Sequence, residues 1–161
     1  MDVIFSPNGL TSGGAMDYPS IDAVVAALGG KRVLREDVHT MGELSRLVMA
    51  GLPFLALRRV SALYPVDQRA RVEQVVVPRT TMLRREQSGV LSTEESERLE
   101  RLARLTALAE HVLESLAEAR EFLTTPHSLL EGEAPLDLAA TDLGARRVEG
   151  VLWRMEYSLP V

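Results

Sequence analysis

His39, His111 and His127 are the three histidines of this chain of 161 residues. No two of them stand at metal-ligand spacing, and no His-Glu-x-x-His pattern occurs. His39 and His127 fall in predicted connections and His111 in the middle of a predicted helix, where surface or packing roles suffice. Cysteine is absent, which excludes disulfides, thiolate metal sites and cysteine nucleophiles. A phosphate-cradling loop needs glycines at set spacing before a helix. Gly9, Gly13 and Gly14 do not make one, and Gly29-Gly30-Lys31-Arg32 lacks the Ser or Thr that should follow the lysine. The carboxylates of the longest predicted helix alternate with arginine, as on a solvated face. These residues argue against an enzyme, and no cofactor is expected.

The basic side chains of the middle of the chain say more. Residues 1–30 carry a charge of −3, residues 31–91 carry +5 and residues 92–161 carry −7. Such a split suggests two surfaces with different partners, with local scatter as the plainer account. Within the basic segment, Gln68–Val76 and Arg79–Gln87 read as two short helices joined tightly at Val77-Pro78. That is the outline of a helix-turn-helix, whose second helix enters the DNA major groove with its early residues on base edges. Here those residues are Arg79, Thr80 and Thr81, with Arg84 and Arg85 one turn on. Arginine bonds guanine edges or phosphates, and threonine bonds either. Two short basic helices equally describe many protein-binding faces.

The elements that must hold these residues are helical throughout. Ser20 caps Ile21–Leu28, which Gly29-Gly30 ends. Thr40 and Glu43 form a capping box, and Gly51-Leu52-Pro53 separates that helix from one carrying Phe54, Leu55, Leu57, Val60 and Leu63. Pro65 stops it, and Asp67 is placed to cap the next. Ser92 and Glu95 form a second capping box, ahead of Leu99, Leu102, Ala103, Leu105, Leu108 and Val112 at helical spacing. Leu116–Leu123, Pro135–Ala140 and Gly144–Met155 follow as shorter helices, with an extended end from Glu156. Val75-Val76-Val77 is the clearest strand-like run and is too short to compete.

The composition agrees. Hydrophobic residues make up 46%, charged residues 25% and aromatics only 4%, so the core must be aliphatic and the fold rich in helix-forming Leu, Ala, Arg and Glu. No apolar run approaches a membrane span, and the N-terminus lacks the basic start and apolar stretch of a secretory signal. A cytoplasmic location without membrane attachment is expected. The reading is an all-α fold: a flexible arm at 1–18, a helical domain with the helix-turn-helix at 19–91, and a compact helical domain at 92–161.

Residues 92–157 resemble the toxin-binding domain of the Xre/MbcA/ParS antitoxins. The resemblance is carried by Leu91-Ser92-Thr93-Glu94-Glu95-Ser96-Glu97-Arg98-Leu99, Arg101-Leu102-Ala103-Arg104-Leu105, Ala119–Leu123 and Thr125-Pro126. It continues through Leu130, Gly132, Pro135-Leu136-Asp137-Leu138, Thr141–Glu149 and Met155-Glu156-Tyr157. Upstream, Gly51-Leu52-Pro53, Val77-Pro78-Arg79-Thr80-Thr81 and Arg84-Arg85 resemble the Xre-like helix-turn-helix that precedes this domain. The likeness thus covers roughly residues 51–161.

It implies a type II antitoxin whose partner is a RES-domain toxin that consumes NAD, with the C-terminal domain packed on the toxin and obstructing its cleft. It also implies homodimers, a higher toxin–antitoxin complex, and repression of its own operon by binding operator DNA. An acidic domain suits a cleft that must attract an anionic dinucleotide. Arg154, Glu156, Tyr157 and the tail Ser158, Leu159, Pro160 and Val161 are the expected toxin contacts, with Tyr157 as anchor; alternatively Trp153 and Tyr157 simply close the core. Pro126 and Pro135 would fix the turns, and Leu130, Leu136 and Leu138 would pack that corner.

This chain departs from the family pattern at Val76, where glycine is usual and a β-branched residue resists positive φ. Arg71 and Gln74 stand where apolar residues are expected, and Ser158 replaces the glycine that usually follows the Glu-Tyr pair. The rival reading is a helix-turn-helix transcriptional regulator that acts without a toxin.

Overall fold

The computed structural model describes residues 19–158; the expected arm at 1–18 and the candidate contacts Leu159, Pro160 and Val161 lie outside the described residues. The described chain is all-α, as expected. Its helices are α1 (Ile21–Ala27), α2 (Gly30–Leu34), α3 (Met41–Ala50), α4 (Phe54–Ser61) and α5 (Arg69–Val76). They continue as α6 (Arg79–Ser88), α7 (Thr93–Leu113), α8 (Leu116–Thr124), α9 (Pro135–Leu138) and α10 (Asp142–Glu156).

Helix α7 is the spine. Ser92 accepts from the Glu95 N–H at 3.1 Å while the Glu95 carboxylate accepts from the Ser92 N–H at 2.8 Å, so both orphan donors are satisfied. Leu99, Leu102, Ala103, Leu105 and Leu108 then fall on buried sides of the helix. Helix α7 packs against α1, α3, α4 and α5 on one side of the chain and α8 and α10 on the other. One aliphatic core therefore runs from Val24 to Leu152, without a break at residue 92. Tyr64 is the largest fully buried side chain in it. Its hydroxyl meets Thr106 Oγ1 at 2.8 Å, and burial pushes its pKa up to about 12, so it stays a neutral phenol.

The segment α4–α6 closes on itself before joining the spine. The N–H of Phe54 donates to the Gly89 carbonyl at 2.9 Å, and the N–H of Leu91 donates to the Leu52 carbonyl at 2.9 Å. Ser96 at the start of α7 accepts from the Leu52 N–H at 2.7 Å. Gly51 makes the crossing possible: its φ is +100, and a Cβ there would lie 2.5 Å from the Leu91 carbonyl oxygen.

Three local expectations are corrected. Helix α2 had no sequence prediction; it is five residues long, opens on glycine, and is held by burying Val33 and Leu34. Asp67 does not cap α5, because Val66–Gln68 form a 3-10 turn that runs straight into it. Helix α10 starts at Asp142, with Thr141 as its N-cap, and runs through Glu156 rather than giving way there to extended chain.

Candidate functional site

The helix-turn-helix is built by α5, the turn at Val77-Pro78, and α6. Val76 is helical, and Val77 has φ −123 and ψ 124 with its side chain fully buried. The turn needs no positive φ, so β-branched residues serve where the family usually carries glycine. Pro78, with φ −55, then starts α6.

Helix α6 contains no buried residue. Thr81, Met82 and Arg85 are half-buried against the rest of the molecule, while Arg79, Thr80, Leu83, Arg84, Glu86, Gln87 and Ser88 are exposed. Arg79, Thr80, Leu83, Arg84 and Gln87 share one face by helical spacing, with Glu86 at its edge. Three of the five candidate DNA contacts, Arg79, Thr80 and Arg84, thus lie together on it. Arg85 turns inward, with Nε 2.7 Å from Glu95 Oε2 in an ion pair whose N–H points off the line of contact. Leu83 and Gln87 were not among the sequence candidates, although their spacing of four and eight from Arg79 places them on this face. An amide can bond adenine edges, and an apolar side chain can meet a thymine methyl.

What positions α6 is Arg58. Its Nη1 donates to both carboxylate oxygens of Glu73 on α5, at 2.8 and 2.7 Å, and its Nη2 donates to Glu86 on α6 at 3.1 Å. Ser61 also donates to Glu73 at 2.8 Å, so this buried carboxylate is fully engaged. The guanidinium lies 5.0 Å from the centre of the Phe54 ring. One α4 side chain thereby ties both helices of the motif to the helix before them.

A second set of arginines joins the motif to the C-terminal half. Arg98 on α7 donates to the carbonyl of Val76 at 3.3 Å, directly behind the turn. Arg101 donates to the carbonyls of Ala139 and Ala140, and Arg104 pairs with Glu149 of α10. Arg71, out of pattern as an apolar position, reaches from α5 to Asp137 of α9 at 2.7 Å and to the Thr124 carbonyl at 3.1 Å. Gln74 is exposed.

Glu95 joins the two regions through its pKa. Burial pushes its carboxyl up, but the Ser92 N–H and the Arg85 guanidinium outweigh burial and hold it below its ordinary value of 4.5. A depressed folded pKa stabilises above the unfolded value, and that contribution is lost as pH falls through the folded one. The stability difference between wild type and Glu95→Gln, followed by urea unfolding, should be largest at neutral pH and shrink as pH falls below about 4.5.

The C-terminal candidates gather at the end of α10. Trp153 is half-buried against the core, and Tyr157 is 55% exposed with its ring stacked on Trp153 at 5.9 Å between centroids. Trp153 therefore closes the core, while Tyr157 stands outside it, unlike the reading in which both rings close the core. Arg154 is exposed, Glu156 Oε1 lies 3.6 Å from His111 Nε2, and Ser158 has φ +51. The corner beneath is packed by Leu130, Leu136 and Leu138, all buried, with Pro135 at the start of α9.

The other histidines have local structural partners: His39 gives its backbone N–H to Glu43, and His127 Nδ1 accepts from the Leu129 N–H at 3.2 Å. Among the described residues no group of three or more His, Asp or Glu could hold a metal ion. No described helix is long and apolar enough to cross a membrane.

Comparison with known proteins bears on both faces. Residues 43–104 match the model of the antitoxin Xre-like helix-turn-helix domain. Residues 108–157 match the antitoxin Xre/MbcA/ParS C-terminal toxin-binding domain. The chain is also similar to Antitoxin Xre of Pseudomonas putida strain KT2440, at 33% identity over 90 residues. That match takes in 56% of this chain and 54% of the relative, so the chain spans about half the length of the curated protein it matches.

Proposed function

We propose, for a chain that belongs to the Xre/MbcA/ParS antitoxin family, the work of a type II antitoxin. Its C-terminal domain binds and inhibits a RES-type, NAD-consuming toxin, and α6 binds operator DNA and represses its own operon as a homodimer in the cytoplasm. The observation that carries this reading is the pairing of the two matched domains on one chain, joined through α7. The bare, basic face of α6 favours DNA as its partner. The acidic charge of residues 92–161 and the exposed Tyr157 favour a basic protein cleft at the other end. Arg154, Glu156, Tyr157 and Ser158 are the proposed toxin contacts, continued by Leu159, Pro160 and Val161. Arg79, Thr80 and Arg84 are the proposed DNA contacts, with Thr81 and Arg85 supporting them from the half-buried side.

Co-expression with the adjacent reading frame, followed by pull-down and a growth assay, tests the proposal. Growth rescue with a stable complex supports it, and loss of both on deleting residues 156–161 places the contact at the tail. No complex and no rescue would leave the stand-alone regulator as the better account. Tyr157→Ala is expected to weaken the complex by about 2 kcal/mol, roughly thirtyfold in Kd, while the helix content stays unchanged. Calorimetric titration checks the first expectation and circular dichroism the second.

A further inference from the structure

The run Gly29-Gly30-Lys31-Arg32, set aside as a nucleotide loop on sequence grounds, lies on a groove between the α1–α2 turn and α4. Gly29, Gly30, Arg32 and Arg59 line it, with Ala26 and Ala62 as small residues of its wall. Gly29 has φ +105, and a Cβ there would come 2.9 Å from Arg59 Cγ, so the stem of Arg59 runs along bare backbone. No carboxylate lines the groove. Lys31 is drawn off to Asp37 at 2.6 Å. Among the described residues neither Arg32 nor Arg59 has an ion-pair partner. Arg58, Arg71, Arg85, Arg98, Arg104, Arg146 and Arg147 do, whereas eight further described arginines share the lack of one, so it is the common groove that sets Arg32 and Arg59 apart. Two guanidiniums without ion-pair partners, carried on different helices, thus line one acid-free groove, and guanidinium is the side chain best suited to the oxygens of a phosphate.

We propose that Arg32 and Arg59 form a phosphate-binding groove that takes a backbone phosphate of duplex DNA. The source follows from the lining. No aromatic side chain is there to stack a base and no acid is there to hold a ribose, so a free nucleotide would be gripped by its phosphate alone. A polymer supplies that phosphate while its other phosphates are held elsewhere on the protein. The DNA source rests on the DNA-binding reading above; the groove itself does not.

The test is binding of the full chain to a short random-sequence duplex as salt is varied. Each neutralised phosphate contributes about 0.9 to the slope of log K against log salt. The double variant Arg32→Gln/Arg59→Gln should lower that slope by roughly 2. The charge-matched control Arg46→Gln/Arg146→Gln should leave it in place. An unchanged slope in the groove variant, or an equal fall in the control, overturns the proposal. If the wild-type chain binds no duplex, the DNA reading fails by itself, and titration with inorganic phosphate decides the groove. Amide shifts confined to Gly29–Arg32, and lost in the groove variant, would keep it as a site for free phosphate; no shifts would sink it.

Discussion

Arg58→Met is expected to cost about 3 kcal/mol of stability and to loosen α6. The variant keeps an apolar stem beside Phe54 but leaves Glu73 buried with Ser61 as its remaining donor. Breaking a buried pair from one side costs roughly 3–5 kcal/mol, and the low end applies because Arg58 is 40% exposed. Helix α6 has no buried residue of its own, so loss of the Arg58–Glu86 bond removes one of its few anchors. On the proposed function, affinity for operator DNA should fall about tenfold, equivalent to about 1.4 kcal/mol, with toxin binding little changed. Glu73→Gln, which keeps an oxygen for Arg58 and Ser61, should lose only about 1 kcal/mol. Urea unfolding of both variants measures the difference. An Arg58→Met protein as stable as wild type would mean that packing on α7, and not this network, holds the motif together.

Gly144→Ala is expected to be the most damaging small substitution in the C-terminal half. A Cβ at Gly144 would drive into the Leu138 carbonyl oxygen and lie 2.9 Å from the Leu138 carbonyl carbon. Both atoms are backbone at the end of α9, so neither can swing aside. Helix α10 would have to shift against α9, at about 3 kcal/mol. That shift would displace Trp153 and Tyr157, and with them the proposed toxin face, so the complex should weaken while DNA binding persists. Gly150, six residues on in the same helix, is the internal control. A Cβ there meets nothing within 4 Å. Gly150→Ala should therefore stabilise by about 0.5–1 kcal/mol through helix propensity alone. Thermal unfolding of the pair checks the contrast; equal losses in both would mean that the α9–α10 approach is not the constraint.

The sequence by itself determined the helical class and most helix ends, because those are local matters. A capping box needs only residues three apart, so Thr40 with Glu43 and Ser92 with Glu95 were legible and are formed as read. Gly89, with φ +74, ends α6 for an equally local reason. The α6 candidates were legible as a basic helix, and the family resemblance rested on short motifs whose order survives in the chain. Tertiary structure decided what depends on distant partners. Helix α2 is too short to stand on propensity and exists because Val33 and Leu34 find the core. Arg84 and Arg85 are neighbours of identical type, yet one faces solvent and the other Glu95, because a helix turns about 100° per residue and only packing sets which side is inward. Arg71 looked out of pattern until Asp137, 66 residues later, supplied its partner. Arg32 and Arg59 stand 27 positions apart and line one groove because Gly29 lets the α1–α2 turn approach α4. Side-chain chemistry is written along the chain; which charges stay unpaired is settled only by the fold.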